Sequence, residues 1–385
     1  MNSTVTLANW RLSPWNRWAF HHVSDILPVA RIAASPAPDS SLSRAPYDLG
    51  GLSFEDADGQ AWTIAELLPR TETDGFLVLQ DGRIILEWYG NDLIATTPHI
   101  IFSISKSVTA ILAGILAERG KLDPEAPVTR YVPEAAGSAY GDCSVRHVLD
   151  MTVNIVFEEG YLDATGAFAR YRVATGWNPV SDPAMDSDLH SFLVTLPRGA
   201  GRHGERFHYV SPNSDMLGWI VERAAGASYA QLLSELIWKP MGAVTDAYVT
   251  IDRLGAARTA GGVCTSLHDL ARFGEMMRNR GRAADRQVVP ATWIDDILCN
   301  GDPAAWARGT MAQLLPHGRY RSKWYITGND HGAYCAIGIH GQWLYVDPRA
   351  QLVIAKLSSQ TLPVDDDIDR LLLKAFAAIG RHFVR

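Results

Sequence analysis

Two residues in the first third of the chain have the types and spacing of a nucleophile and its base. Ser103 and Lys106 lie three positions apart in the tetrapeptide SISK, and residues three apart share one face of a helix. At a helix N-terminus, unpaired backbone N–H groups stabilise the negative charge that develops on a serine oxygen. Burial lowers the pKa of a lysine, which then supplies the neutral base that a serine hydroxyl needs. The pair therefore predicts acyl transfer through a covalent intermediate on Ser103.

The flanking residues favour this chemistry over an exposed serine and an exposed lysine. Residues 100–102 are apolar, and so is most of the stretch 108–116. A lysine is seldom buried among such residues without a specific role. Lysine is also scarce, because arginine makes up most of the 35 basic residues.

A tyrosine about one hundred residues further on is a candidate proton shuttle. Tyr209 precedes Val210 and Ser211, and it lies between the polar run GRHGER and a helix that begins near Pro212. This position indicates the wall of a cleft rather than a core tyrosine. The sequence therefore predicts that Tyr209 works beside Ser103 and Lys106.

The elements that must position these residues are strands near both ends and helices between them. FLVLQ-DG-RIILEWY predicts a β-hairpin whose turn is Asp81-Gly82, and SISKSVTAILAGILAERG predicts a buried helix that ends at Gly120. Residues 121–250 are helix and loop, with few strand signals. Two strands are predicted around Asp347-Pro348, and an amphipathic helix follows them. Residues 1–60 are predicted to be an ordered but irregular arm.

This order of elements predicts an α/β lobe built from both termini, residues 1–118 and 250–385. Residues 119–249 form an inserted, mostly helical lobe in this interpretation.

Composition and charge exclude several partners. The net charge is −7, and no basic stripe suited to nucleic acid is present. The N-terminus lacks a secretory signal, and no stretch is long and apolar enough to span a bilayer. The four cysteines show no CxxC spacing, which predicts buried or free thiols in the cytoplasm. The sequence leaves open whether the chain forms a homodimer.

The order and spacing of the motifs resemble the serine β-lactamase, penicillin-binding and esterase superfamily. SISK is followed by YVS and the helix DMLGWIVE, then by GGVCTSLHDLARFGEMM, and last by AIGIHGQWLYVDPRAQLVIAKLSS. Within the superfamily, EEGYLDA, YVSPNSD and IGIHGQ are most similar to the 6-aminohexanoate-dimer hydrolases and their esterase relatives. The resemblance runs from about residue 70 to the C-terminus. It implies a β-lactamase-like fold, with an antiparallel sheet, flanking helices and the inserted lobe.

The resemblance also implies roles for individual residues. Ser103, Lys106 and Tyr209 match the catalytic trio, and the N–H of Ile339 matches the second donor of an oxyanion hole, beside that of Ser103. Tyr161 matches a tyrosine that contacts substrate from a mobile loop. Ser211, the last residue of the Tyr-x-Ser element, is expected to bind substrate as well.

Two positions depart from the family pattern. Ala336 stands where relatives have a lysine or histidine that holds a substrate carboxylate. Arg172 stands where the aminohexanoate hydrolases have an acidic residue, so it is a candidate substrate-binding residue that would repel an ammonium group. It could instead face solvent or pair with a carboxylate such as that of Asp163.

The histidines have structural explanations. His340 is expected on a strand beside the oxyanion position, with its ring satisfied structurally. His21, His22, His203 and His208 show no ligand spacing, and no metal or cofactor is predicted.

The sequence thus predicts hydrolysis of small carboxylic esters, and of linear amides, by an acyl-enzyme on Ser103. The partner is a small-molecule ester or amide, with no nucleic acid and no membrane. The alternatives are a β-lactamase, a D-amino-acid peptidase, or a penicillin-binding-type sensor that is acylated without turnover.

Overall fold

The computed structural model describes residues 4–35, 42–180 and 187–384. Its strands are β1 (Val29–Ile32), β2 (Ser53–Glu55), β3 (Ala61–Thr63), β4 (Thr73–Gln80), β5 (Arg83–Tyr89), β6 (His99–Ile100), β7 (Ala247–Thr250), β8 (Val263–Thr265), β9 (Arg282–Ala283), β10 (Arg286–Gln287), β11 (Arg319–Arg321), β12 (Trp324–Ile326), β13 (Tyr334–Gly338), β14 (Gln342–Asp347) and β15 (Leu352–Ser358). Its α-helices are α1 (Asn16–Ala19), α2 (Ile64–Arg70), α3 (Ile104–Glu118), α4 (Val145–Leu149), α5 (Gly166–Ala174), α6 (Leu189–Leu193), α7 (Pro212–Ala225), α8 (Tyr229–Leu233), α9 (Leu267–Arg278), α10 (Ala291–Cys299), α11 (Pro303–Ala307) and α12 (Asp366–Phe383).

The largest sheet joins segments from near both ends of the chain. Its seven strands run in the order β11-β12-β13-β14-β15-β4-β5, and every neighbouring pair is antiparallel. The central pairing of β15 with β4 places Lys356 opposite Phe76. This confirms the predicted antiparallel sheet built from both termini.

Side chains alternate between the two faces of this sheet, as the period of a strand requires. On one face, Leu344 and Val353 pack around Gly274 of α9, where a Cβ would come within 2.7 Å of both. On the other face, Trp343 and Tyr345 contact Phe376 of α12. The sheet is therefore covered by helices on both sides, which is why its strands are buried almost throughout.

The predicted hairpin and the predicted buried helix are both confirmed. Asp81 and Gly82 have φ angles of 49° and 72°, which a two-residue type I′ turn requires. Helix α3 begins directly after Ser103, and its residues 104–116 are all buried. Gly120 has a φ of 66° just after the helix, the left-handed conformation that commonly ends helices.

The N-terminal arm is more regular than the sequence suggested. Its strand β1 pairs with β7 in a second sheet of order β1-β7-β8-β6. Strand β7 also corrects the interpretation of residues 121–250 as helix and loop alone. The sequence signal failed because short strands carry too few residues to show a period.

The region around Asp347 contains three strands instead of the predicted two. Strand β13 turns into β14 at residues 339–341, before the predicted pair β14 and β15. His340 consequently lies in a tight turn with a φ of 60°, and not on a strand.

Helices α4 to α8 lie within the predicted insert, and they share a hydrophobic core with the sheet. Leu77 and Val353 of the sheet belong to the same cluster of buried side chains as Tyr171 and Leu217. The boundaries at 118 and 250 stay a prediction. All four cysteines are free, as predicted, and only Cys299 is exposed. Within the described ranges, no helix combines the length and the apolar character needed to cross a membrane.

Candidate active site

The candidate nucleophile Ser103 is the N-cap of α3, and the residue before it has an unusual backbone conformation. Phe102 has a φ of 41°, a region that costs a residue with a side chain about 1–3 kcal/mol. Its ring packs edge-on against Phe20 at 4.9 Å and against Trp177 at 6.0 Å. The packing of this aromatic cluster holds the turn that presents Ser103, whose side chain sits at the edge of a cavity.

Lys106 is hydrogen-bonded to Ser103 as the spacing predicted. Its Nζ lies 2.7 Å from Ser103 Oγ and 2.7 Å from the carbonyl oxygen of Ala260. The side chain is 1% exposed. Burial lowers the pKa of Lys106 to about 7, although the Glu159 carboxylate opposes this shift. A substantial fraction of Lys106 is therefore neutral near pH 7.

Tyr209 lies against both residues. The centroid of its ring is 5.0 Å from Lys106 Nζ. Burial, followed by the Glu159 carboxylate, raises the pKa of Tyr209, while hydrogen bonding with Ser103 and Tyr325 partly opposes this. The phenol therefore stays protonated at neutral pH and is able to donate a proton.

Ser103 and Ile339 line the same cavity. Among the backbone hydrogen bonds of the turns and loops in the described residues, neither of their N–H groups is a donor. Gly338 lets the two segments approach, because a Cβ there would lie 2.6 Å from the carbonyl oxygen of Ile101. Backbone N–H groups of two residues at one cavity are able to bind the oxyanion of a tetrahedral intermediate.

Three buried side chains hold the turn that carries Ile339. The amide nitrogen of Gln342 lies 3.2 Å from the carbonyl oxygen of Ile339, 3.0 Å from that of His340 and 2.6 Å from that of Ser358. Lys356 Nζ donates to the carbonyl oxygen of Gly341 at 3.2 Å. Gln342 and Lys356 were not predicted as site residues, because nothing in the sequence marks a polar residue within a strand as a support for a turn.

His340 is the third of these side chains. Its Nδ1 lies 2.7 Å from the carbonyl oxygen of Gln360, and burial lowers the pKa of His340 to about 4. The ring is therefore neutral at pH 7 and engaged with the backbone, in agreement with a structural explanation.

The opposite side of the cavity is formed by residues 158–161, which lie outside the helices and strands. Tyr161 donates to Glu159 Oε2 at 2.6 Å, and the backbone N–H of Ser211 donates to Glu159 Oε1. Glu159 is a cavity residue that the sequence argument missed. The acidic pair EE directly before Gly160-Tyr161 was the available signal.

Ser211 and Arg172 are not among the residues that line this cavity. Ser211 acts on the site through the N–H that holds Glu159. Arg172 donates from Nη1 to the carbonyl oxygen of Tyr161 at 2.8 Å and from Nη2 to that of Asp163. Its guanidinium also lies 5.1 Å from the ring of Phe168. Arg172 thus clamps the backbone of the segment that carries Tyr161, and its contact with substrate, like that of Ser211, stays a prediction.

The cavity itself is small and acidic. Its volume is about 260 Å³. Aromatic and aliphatic side chains line its interior, among them Phe207, Tyr325, Met311 and Ile337. Carboxylates at two edges outnumber the single lining arginine, Arg206; they are Glu158, Glu159, Asp365, Asp366 and Asp369. Burial, followed by the neighbouring Asp366, raises the pKa of Asp369 to about 7.

Ala336 faces the core and not the cavity. Its side chain is fully buried opposite Leu344, whereas the next residue, Ile337, lines the cavity. Position 336 therefore contributes no side chain to the lining of the cavity, whose charged groups are mainly carboxylates.

Two of the histidines, His203 outside the cavity and His208 in its lining, have carboxylate partners that their sequence spacing did not reveal. His203 Nε2 lies 2.8 Å from Asp142, and His208 Nε2 lies 3.8 Å from Glu158. Across the described ranges, no three His, Cys, Asp or Glu side chains are grouped as metal ligands.

Comparisons with known proteins agree with this geometry. The β-lactamase family model matches residues 63–379. The chain is 38% identical over 354 residues to the 6-aminohexanoate-dimer hydrolase of Paenarthrobacter ureafaciens, which covers 92% of this chain and 88% of that protein. It is 29% identical over 160 residues to esterase EstB of Burkholderia gladioli, over 40% of this chain and 39% of that protein.

A solved structure shows the same fold over the whole chain. It is a Bacillus anthracis protein assigned as a 6-aminohexanoate-dimer hydrolase, with a TM-score of 0.90 and 25% identity over 99% of this chain and 98% of that one. The fold is thus β-lactamase-like, and the chain is a serine hydrolase that belongs to the β-lactamase family.

Proposed function

We propose that this enzyme hydrolyses small carboxylic esters and linear amides through an acyl-enzyme on Ser103. One observation carries the proposal: a buried lysine with a lowered pKa lies 2.7 Å from the hydroxyl of a serine at a helix N-terminus. A neutral amine at that distance is able to take the proton of the serine as it attacks a carbonyl carbon.

Acylation would use the serine, the lysine, the tyrosine and the two backbone N–H groups in turn. Lys106 accepts the proton of Ser103 Oγ while the oxygen bonds to the carbonyl carbon. The N–H groups of Ser103 and Ile339 bind the oxyanion, and removing one such donor typically costs about 100- to 1,000-fold in rate. Tyr209 donates its proton to the departing alcohol or amine and regains one from Lys106. The base is then neutral again.

Deacylation repeats these steps with water as the nucleophile. Lys106 takes a proton from the water as its oxygen attacks the acyl carbon. The tetrahedral intermediate collapses, Ser103 Oγ leaves and regains a proton, and the carboxylic acid is released. These steps use only side chains and backbone groups of the chain.

The cavity favours small substrates without negative charge. Its volume of about 260 Å³ lies below the range of about 300–1,000 Å³ usual for drug-sized ligands. Its carboxylates would repel the carboxylate of a penicillin or of a peptide C-terminus, which disfavours a β-lactamase or a D-amino-acid peptidase. The similar proteins are named as a 6-aminohexanoate-dimer hydrolase and an esterase, and esters and amides both react by this mechanism.

The test is labelling and turnover in matched serine variants. Ser103→Ala should lose both fluorophosphonate labelling, measured by mass spectrometry, and hydrolysis of short p-nitrophenyl esters. Ser107→Ala is the control, since Ser107 lies on the same helix and donates to the carbonyl oxygen of Lys323 at 2.7 Å. It should keep both activities.

Labelling of Ser103→Ala, or its continued turnover, would refute the assignment of the nucleophile. Labelling of the wild type without turnover of any ester or amide would instead indicate a sensor that is acylated and does not release its acyl group.

A further inference from the structure

Lys106 depends on an acceptor whose position is itself fixed by a buried ion pair. Lys106 Nζ donates to the carbonyl oxygen of Ala260 at 2.7 Å, in addition to its bond with Ser103. Ala260 lies in a turn before β8, where its own N–H donates to Asp215 Oδ1 at 2.8 Å. Asp215 lies on α7, the helix that follows Tyr209.

Asp215 in turn belongs to a network that reaches α5. Arg258 Nη1 donates to Asp215 Oδ2 and to the hydroxyl of Tyr171, and that hydroxyl donates to Asp215 Oδ2. Asp215 is 2% exposed, Arg258 5% and Tyr171 0%. The Arg258 guanidinium lies 4.5 Å from the Tyr171 ring and 5.0 Å from that of Trp177.

Such a pair is costly to bury, and replacing it with apolar residues is often neutral or stabilising. A contribution to stability is therefore a weak explanation for it. The contacts of Asp215 lead instead to the proposed base. Asp215 fixes the turn that contains Ala260, and the carbonyl group of Ala260 orients Lys106.

We propose that Asp215 and Arg258 form a positioning unit for Lys106, which acts through the backbone of Ala260. This rests on the proposed function, in which Lys106 is the base. Asp215 orients the acceptor of the lysine, and the pair supplies two opposite charges near it.

The pH dependence should report this role. The charged and titratable groups around Lys106 are Glu159, Asp215, Arg258, Lys323 and the Tyr209 hydroxyl. Asp215 raises the pKa of Lys106 and Arg258 lowers it. Because the base works in its neutral form, the acid limb of kcat/KM follows this pKa.

The experiment measures kcat/KM against pH for a neutral p-nitrophenyl ester. Asp215→Asn should move the acid limb to lower pH, and Arg258→Met should move it to higher pH, each by about half a unit or more. The double variant should return the limb towards that of the wild type. Asp215→Ala, which also removes the acceptor for Ala260 N–H, should lower the plateau by about 10- to 100-fold.

A second buried pair provides the matched control. Asp269 and Arg272 on α9 are 2.9 Å apart and as deeply buried, but Asp269 accepts from the N–H groups of Val244 and Thr245, away from the cavity. Asp269→Asn should leave the acid limb in place. Thermal unfolding of each variant establishes that it folds, and if Asp215→Ala does not, the asparagine and double variants carry the test.

Unchanged acid limbs in Asp215→Asn and Arg258→Met, or shifts in the same direction, would overturn this proposal, as would an equal shift in Asp269→Asn. If the proposed function itself were wrong, the result would differ, because Lys106→Ala would then still turn over the ester.

Discussion

The two sides of the cavity are built in different ways. Ser103, Lys106 and Ile339 stand on α3 and on the turn that follows β13, and buried side chains such as Gln342 hold that turn. Glu159 and Tyr161 stand on a segment outside the helices and strands, held by the Arg172 clamp and the N–H of Ser211. The first side contains the groups of the reaction, and the second contains groups that would face the substrate. We infer that changes on the first side act mainly on kcat, and that loss of the contacts that hold the segment on the second side acts mainly on KM.

The largest effect should come from the base. Lys106→Ala should lower kcat/KM for esters by at least about 1,000-fold, since the base contributes roughly 100- to 10,000-fold and the lysine also orients Ser103. Lys106→Arg should not restore activity, because a guanidinium stays protonated at any usable pH. Steady-state kinetics on p-nitrophenyl acetate test both variants. An active arginine variant would show that the position supplies only positive charge.

The next effect separates two kinds of substrate. Tyr209→Phe should slow the cleavage of a linear amide by about 100-fold, because an amine must be protonated to leave. Acylation by a p-nitrophenyl ester should slow much less, since nitrophenolate leaves without a proton. Stopped-flow acylation rates make the comparison, and equal losses for both substrates would contradict the shuttle role.

A third change acts on the oxyanion turn without touching the reacting atoms. Gln342→Glu would place a carboxylate oxygen against the carbonyl oxygens of Ile339, His340 and Ser358, so the turn should shift. We expect kcat to fall by roughly 10- to 100-fold with little change in KM. Binding of a boronate that mimics the tetrahedral intermediate should weaken in parallel. A variant whose KM rises while boronate binding is unchanged would refute this role.

On the second side of the cavity, Arg172 distinguishes a clamp from a charge effect. Arg172→Gln removes the two-pronged contact with the carbonyl oxygens of Tyr161 and Asp163. KM should rise by about three- to ten-fold for a neutral ester and for an ammonium-terminated amide alike, a cost of roughly 1 kcal/mol. Arg172→Lys keeps the charge and should behave in the same way. If Arg172→Gln instead gained activity on the cationic amide alone, repulsion by Arg172 would be the better explanation.

The smallest effect links the two sides through charge. Glu159 raises the pKa of Lys106, so Glu159→Gln should move the acid limb of kcat/KM from about pH 7 to lower pH. The amide oxygen of glutamine still accepts from Tyr161 or Ser211, and KM should change little. A pH profile at constant ionic strength measures the shift. A limb that moves to higher pH would show that the loss of loop contacts outweighs the charge.

The sequence was informative where a contact depends on local spacing. The hydrogen bond from Lys106 to Ser103 follows from a spacing of three residues at the start of a helix. The turn at Asp81-Gly82 follows from residue types that accept positive φ angles. The sequence was less informative where a side chain contacts an irregular segment. It did not predict that the guanidinium of Arg172 binds backbone carbonyls about ten positions earlier. No periodicity encodes that choice, because it depends on the path of an irregular segment.

Long-range contacts also explain why the supports of the site were missed. Gln342 and Asp215 read as an ordinary strand residue and an ordinary helix residue. Gln342 is anchored by Ser358 and Asp215 binds Ala260, and both of these partners are brought near only by the fold. The acidic edge of the cavity combines residues 158–159 with residues 365–369, which no local pattern connects.

The pairing of β4 with β15 has a consequence for the biogenesis of the protein. During synthesis the hairpin of β4 and β5 leaves the ribosome early. One edge of β4, which includes the apolar residues 76–79, pairs with β15 in the folded protein and has no partner strand until β15 is made. At about 5–20 residues per second, β15 follows after roughly tens of seconds. An uncovered apolar edge of this kind is a template for association between nascent chains. The strand order that brings both ends of the chain into one sheet therefore also leaves this edge of β4 unpaired until β15 has been made.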